Sequence, residues 1–180
     1  MLQEQNDQRR GSGKPVQPVA ADAPYPPIEV GAENPQYARM LSLDLAASRS
    51  EMTSITQYLY QAWIFSAEHM EAAETMKRIA AVEMHHLDIM GELITRLGGA
   101  PRYAAMQRQP MAWNGNMVNY SRSLEMAMRY NMALEQSAID TYRKQASVIQ
   151  DEHIVVILHR IILDEEVHMR IFRRYLDEAR

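Results

Sequence analysis

Residues 78–89 read RIAAVEMHHLDI, and residues 160–171 read RIILDEEVHMRI. Aligned without gaps, both open on Arg-Ile, set Glu and His three apart, and close on Ile. Each stretch sits in a long segment with helical apolar spacing, so an acid and an imidazole enter an apolar helix twice. Successive helical residues turn by about 100°, which places i and i+3 on one face, one turn displaced. Glu83 with His86, and Glu165 with His168, therefore aim a carboxylate and a ring at a common point. His85 falls on the opposite side of its helix from Glu83.

Each stretch has a matching partner upstream. Residues 51–62 (EMTSITQYLYQA) and 135–146 (EQSAIDTYRKQA) share the pattern E-x-x-x-I-x-x-Y-x-x-Q-A. Glu51 precedes Glu83 by 32 residues and Glu135 precedes Glu165 by 30. The chain thus contains two similar halves, expected to fold as two similar hairpins about a pseudo-two-fold axis. The ordered set E, E-x-x-H, E, E-x-x-H, each on its own helix, is far more specific than a single E-x-x-H.

Around these segments the pattern is helical throughout. Asn34-Pro35 reads as an N-cap with proline at the first helical position, opening a helix that runs to about Phe65. A second helix is expected from about Ala67 to Leu97, stopped by Gly98-Gly99 with Pro101 behind it. Residues 98–119 read as a connection, a third helix as Tyr120 to Ile149, and a fourth as Asp151 (its N-cap) to about Glu178. Within each pair the connection is a few residues, which predicts antiparallel hairpins. The middle connection of about 20 residues could span a bundle at roughly 3.3 Å per residue. An up-down bundle with a loose middle loop satisfies the same lengths.

Composition narrows the function. At 180 residues the chain can form one domain with a substantial core. It has no cysteine, which removes disulfides, thiolate metal sites and cysteine nucleophiles. The net charge of -4 without a basic stripe argues against nucleic acid. No run of about 18 apolar residues spans a bilayer, and no signal segment follows Arg9 and Arg10, so a cytoplasmic protein is expected. Residues 1–34 are rich in Gln, Gly, Pro and Ala and read as a flexible tail, or as a docking peptide, ahead of the bundle at 35–180.

Charge balance gives the interior acids a purpose. Four ionised carboxylates in an apolar core repel one another, and each desolvated charge costs on the order of several kcal/mol. Two divalent cations cancel four carboxylates, and two neutral imidazoles complete a dinuclear donor set of Glu51, Glu83, His86, Glu135, Glu165 and His168. Oxygen and nitrogen donors without thiolate favour iron or manganese, with zinc as a non-redox occupant. Taken singly, a helical Glu is usually an exposed residue, the reading assigned to Glu68, Glu71, Glu74, Glu92 and Glu125.

The same residues carry a family resemblance. The chain resembles the ferritin-like di-metal carboxylate superfamily, which includes bacterioferritins, rubrerythrins and manganese catalases, over residues 35–180. The resemblance implies an all-α, ferritin-like four-helix bundle, two hairpins joined by a long crossover. It places the six residues on the metal ligands, with Glu83 and Glu165 bridging or flanking and the role of Glu165 the more variable. The stretch NPQYARMLSLDLAASRSEMTSITQYLYQ (34–61) is most similar to manganese catalase-like and rubrerythrin-like members. A homo-oligomer, dimer or higher, is also implied.

Tyr58 and Tyr142 stand seven residues after Glu51 and Glu135, about two turns along the same face. A phenol there is either a buried structural side chain or a hydrogen-bond donor to a carboxylate, and in relatives the tyrosine matching Tyr58 implies an electron donor, hence a catalytic role. Asp164 is either a surface acid or a carboxylate orienting His86 through its second ring nitrogen. Met84 lies in an E-M-x-H context similar to that of the haem-ligating methionine of bacterioferritins. With 14 Met in the chain, a gap-filling role is preferred to haem. His69, His153 and His159 lack a matching partner.

A buried dinuclear centre suits two-electron chemistry on peroxide or dioxygen. Peroxide is the leading substrate, by peroxidase or catalase action. Oxidation of Fe(II), with or without storage, is the second reading, and metals that only staple the bundle the third. The absence of cysteine leaves no rubredoxin-type site, so a peroxidase would need an external electron donor. Only 12 residues follow His168, too few for the fifth helix of ferritin shells, which argues against cage storage.

Overall fold

Five α-helices form in the structure, a computed structural model that describes residues 17–179. They are α1 (Pro35–Ala46), α2 (Glu51–Phe65), α3 (Met70–Arg96), α4 (Leu124–Val148) and α5 (Glu152–Glu178). Helices α2 and α3 form one hairpin, α4 and α5 the other, and together they make a four-helix bundle preceded by α1. The expected all-α ferritin-like architecture is therefore the one found. No helix among the described residues is long and apolar enough to cross a membrane.

The expected first helix, 35–65, is two helices. Asn34 caps α1 as its sequence suggests, its Oδ1 accepting from the Gln36 and Tyr37 amides at 3.0 and 3.2 Å. The helix then ends at Ala47, whose backbone is extended, and the Ser50 and Thr53 hydroxyls both donate to the Ala47 carbonyl. Ser50 also caps α2 by accepting from the Thr53 amide. Short hydroxyl side chains offer the backbone these local partners in place of helix bonds, and the chain turns there. Glu51 consequently opens α2, whereas Glu135 lies in the middle of α4.

Between the hairpins, residues 97–123 cross over. Gly98 takes the left-handed conformation (φ +80) that ends α3, and a Cβ on Gly99 would meet Ala38 at 2.8 Å. The crossover contains a two-residue antiparallel pairing of β1 (Ala104–Ala105) with β2 (Met111–Ala112), then a 3-10 turn at Gly115–Met117. It is tied down by the Trp113 Nε1 donating to Thr53 Oγ1 and the Asn119 amide donating to Gln57 Oε1, each at 2.9 Å. Helix α4 starts at Leu124 behind the Ser123 cap, four residues later than its sequence pattern suggests.

The buried residues of α3 include Met76, Ile79, Ala80, Glu83, His86, Met90 and Leu93, a stripe at three- and four-residue spacing. Those of α5 include Ile157, Leu158, Ile161, Glu165, His168, Ile171 and Phe172 on the same stripe, with Arg160 and Asp164 buried beside it. Two apolar clusters result, one built on Leu41, Leu93 and Ile157 and the other on Tyr58, Met76 and Phe172. Each fully buried Leu or Ile contributes roughly 1.5–3 kcal/mol, so the clusters clamp the bundle on both sides of the polar residues.

Residues 17–33 add no regular element, yet they lie against the bundle. Val19 is buried with the second cluster, Tyr25, Ile28 and Val30 pack on the first, and the Gly31 amide donates to Asp151 at 2.8 Å. Composition alone reads this segment as a tail because it counts apolar burial. Here hydrogen bonds and an arginine fix the chain. The remainder of the expected tail, residues 1–16, falls outside the described residues.

Candidate metal centre

All six residues singled out by the repeat meet at the middle of the bundle, and all are buried. They form two overlapping groups. One comprises Glu51, Glu83, His86 and Glu165, the other Glu83, Glu135, Glu165 and His168, and within each the donor atoms lie within 4.8 Å of one another. Glu83 and Glu165 belong to both. The stripes of α3 and α5 face each other, so the acid of each E-x-x-H pair reaches both rings.

Around each ring nitrogen the crowding is more than hydrogen bonding needs. His86 Nδ1 lies 3.1 Å from Glu83, 3.2 Å from Glu165 and 3.7 Å from Glu51. His168 Nδ1 lies 2.9 Å from Glu165, 3.1 Å from Glu83 and 3.7 Å from Glu135. A single ring nitrogen directs one lone pair or one N–H, so three carboxylates around it are two too many. Glu83 Oε1 and Glu165 Oε1 are buried and make no hydrogen bond among the described residues. Orphaned carboxylate oxygens of this kind are rare in folded proteins and fit a pair of cations in the gap. The donor set of oxygen and imidazole nitrogen, without thiolate, matches iron or manganese.

Without cations the cluster has to hold protons. Burial, reinforced by the charge of Glu83, pushes Glu51 well above the ordinary carboxylate range, and burial with Glu83 and Glu165 does the same to Glu135. Burial disfavours charged histidine, but the carboxylates outweigh it, led by Glu165 at His86 and Glu83 at His168, and both rings titrate well above the usual value. Burial would also raise Glu83, yet the nearby charges of His168 and His86 prevail and hold it below the ordinary range. Metal binding therefore has to displace protons.

Both tyrosines are buried and both donate to carboxylates, across the bundle rather than along their own helices. Tyr58 donates to Glu135 Oε1 and Tyr142 to Glu51 Oε1. Burial and the facing carboxylate, Glu135 or Glu51, push each phenol well above its usual value, so the proton stays on the tyrosine. Asp164 is fully buried, and its Oδ2 lies 3.1 Å from His86 Nε2. Met84 is exposed on the outside of α3, and His85 stands edge-on to the Tyr25 ring at 4.5 Å.

Several residues here were not singled out from the sequence. Tyr25 donates to Asp164 Oδ2 and lies 3.0 Å from His86 Nε2. Asn131 joins Gln57 and Gln61 through hydrogen bonds of 2.7–2.9 Å, and Gln145 donates to Asp44 at 2.6 Å. Burial pushes Asp44 to about 7 against the hydrogen bond from Gln145. Gln61 and Gln145 were visible in the repeated Q-A ending, but their partners Asn131 and Asp44 do not match one another in the two halves. A small recess lined by Asp44, Arg49, Glu51, Glu135, Tyr142 and Glu165 adjoins the centre.

Comparison with known proteins bears on the fold. A probable manganese catalase from Clostridium acetobutylicum is 24% identical over 174 residues, covering 85% of this chain and 76% of that protein. The structure of a manganese catalase from Anabaena superposes with a TM-score of 0.77 at 23% identity, covering 88% of this chain and 78% of that one. A Mycobacterium tuberculosis bacterioferritin superposes with a TM-score of 0.67 at 22% identity, covering 82% and 87%. The ferritin family, described as a ferritin-like domain, matches residues 46–180. With that match spanning α2 to α5 and most of its length, the chain belongs to the ferritin family of ferritin-like domains.

Proposed function

We propose that the protein is a di-metal oxidoreductase acting on hydrogen peroxide, of catalase or peroxidase type. The observation that carries this reading is the pair of overlapping donor groups sharing Glu83 and Glu165. Glu51 and His86 would hold one ion, Glu135 and His168 the other, and the two shared glutamates would bridge. Bound iron or manganese supplies the two-electron redox capacity that peroxide chemistry requires. Similarity to manganese catalases in sequence and fold supports the same substrate class.

The chain's own residues orient and protect the centre. Tyr58 and Tyr142 fix the outer carboxylates Glu135 and Glu51 through their phenol hydrogen bonds and keep a proton at Oη. Tyr58 is assigned the catalytic phenol, placed between the carboxylate cluster and the Phe172 ring 5.3 Å away. The apolar clusters on both sides exclude bulk water, which strengthens every interaction within the centre. A peroxidase cycle draws its electrons from an external donor. Exposed apolar side chains including Trp63 and Tyr103 support assembly into a homo-oligomer.

Oxygen evolution after peroxide addition to manganese- or iron-loaded protein is the direct test. Oxygen release indicates catalase action, and peroxide loss only with an added reductant indicates peroxidase action. Loaded protein that consumes no peroxide under either condition overturns the proposal. The same oxygen and imidazole donor set suits iron, which supports one second reading, a ferroxidase with Fe(II) as substrate. Rapid oxidation of added Fe(II) in place of peroxide turnover would select it.

A further inference from the structure

The two halves of the repeat diverge at one position that matters for the centre. Asp164 immediately precedes Glu165, and the residue that the repeat aligns with it is Val82, which precedes Glu83. On one side, His86 Nε2 lies 3.1 Å from Asp164 and 3.0 Å from the Tyr25 hydroxyl. On the other, His168 Nε2 is buried and has no hydrogen-bond partner among the described residues. The Val82 side chain has no atom that could accept its N–H.

Asp164 is itself held by a latch from the N-terminal strap, residues 17–33. The Ala21 amide donates to its Oδ1 at 2.7 Å, Tyr25 donates to its Oδ2, and Arg160 pairs with Oδ1 at 2.8 Å. Arg160 in turn donates to the carbonyls of Ala21 and Ala23 and lies 4.0 Å above the Tyr25 ring. The strap, the arginine and the aspartate thus form one closed network behind a single histidine.

We propose that this network makes the two metal positions unequal, so that the position at His86 holds its ion tightly and the position at His168 exchanges its ion readily. The inference rests on the di-metal reading and adds to it a rank order. Both rings turn Nδ1 toward the carboxylate cluster, so ligation through Nδ1 requires the remaining proton on Nε2. At His86 that N–H has Asp164 as acceptor, which fixes the tautomer and raises ligand basicity. At His168 the same tautomer leaves a buried N–H unpaired, while the competing tautomer donates from Nδ1 to Glu165 at 2.9 Å. Ligation exchanges the Nδ1 contact at both rings, 3.1 Å to Glu83 at His86 and 2.9 Å to Glu165 at His168, but only His86 keeps a hydrogen bond, from Nε2 to Asp164. Tyr25 acts here as a positioning residue, through Asp164.

Calorimetric titration of the metal-free full chain with Mn(II) reads this directly, alongside the paramagnetic resonance signal at one equivalent. Two binding classes are expected, separated by about 10–100-fold, the range typical when a histidine's hydrogen-bond partner is lost. The first equivalent should give an isolated-ion signal and only the second a spin-coupled pair. Asp164→Asn and Tyr25→Phe should weaken the tight class alone. Val82→Asp should strengthen the weak class, a gain that damage to the fold cannot mimic. Equal affinities in the unaltered protein, or variants that weaken both classes alike, overturn the rank order while leaving the di-metal centre standing. Protein that takes up no Mn(II) overturns both.

Discussion

Tyr142 on α4 donates its hydrogen bond to Glu51 on α2, not to Glu135 on its own helix. Tyr58 on α2 returns the relationship by donating to Glu135 on α4. Each hairpin thus secures the outer carboxylate of the other. These reciprocal contacts tie the two halves of the repeat together at the polar centre, between the apolar clusters on either side.

Removing either phenol leaves a buried carboxylate oxygen without its donor. Tyr142→Phe should lower the stability of the metal-free protein by about 1.5–3 kcal/mol, read from urea denaturation. Tyr58→Phe should cost a similar amount and also reduce peroxide turnover of the loaded protein at unchanged metal content. Full turnover in that variant would reassign Tyr58 to a structural role.

The shared and unshared glutamates should behave differently. Glu83 belongs to both donor groups, so Glu83→Ala should lose both ions, whereas Glu51→Ala should lose the one at His86 first. Metal content by elemental analysis separates the two outcomes, and equal losses in both variants would count against the bridging assignment.

Metal-free and loaded protein should respond differently to alkaline pH. Both histidines titrate above their unfolded value because carboxylates surround them, so their contribution is complete below the unfolded value near 6.5. It is lost as pH rises through the folded values, and the metal-free protein should melt at lower temperature. Metal replaces those protons and should flatten the dependence, with proton release on binding measurable in weak buffer. Chelation of loaded protein should lower Tm at every pH where the metal was bound.

Asp44, on α1 beside the centre, gives a second pH dependence of opposite origin. Burial raises it to about 7, so the native state keeps a proton that the unfolded chain has released. Its contribution is complete below the unfolded value near 4 and falls by on the order of 1.4 kcal/mol per pH unit until the folded value is reached. Asp44→Asn should stabilise the protein at pH 8 relative to its effect at pH 4, as read by thermal melts.

Most of the bundle could be read from residue spacing. The stripes of α3 and α5 keep one periodicity through their polar positions, so the spacing alone marks Glu83, His86, Glu165 and His168 as interior. The Ala47–Ser50 break was hidden because a short serine-containing stretch is compatible with helix until its hydroxyls find the Ala47 carbonyl. Tyr25 was hidden for a different reason. Its partners Asp164 and Arg160 are distant in sequence, on α5, and no local pattern encodes a contact of that range. The tyrosine pairing was half visible: the spacing set two phenols near two acids, and only the bundle shows that they cross.

The chemistry assigned to this chain depends on cations occupying the space among four buried carboxylates. Elemental analysis of the purified full chain, with protein concentration determined independently, measures this directly. Two iron or manganese ions per chain, both lost on chelation without unfolding, are predicted. A folded, active chain containing neither metal would contradict the account.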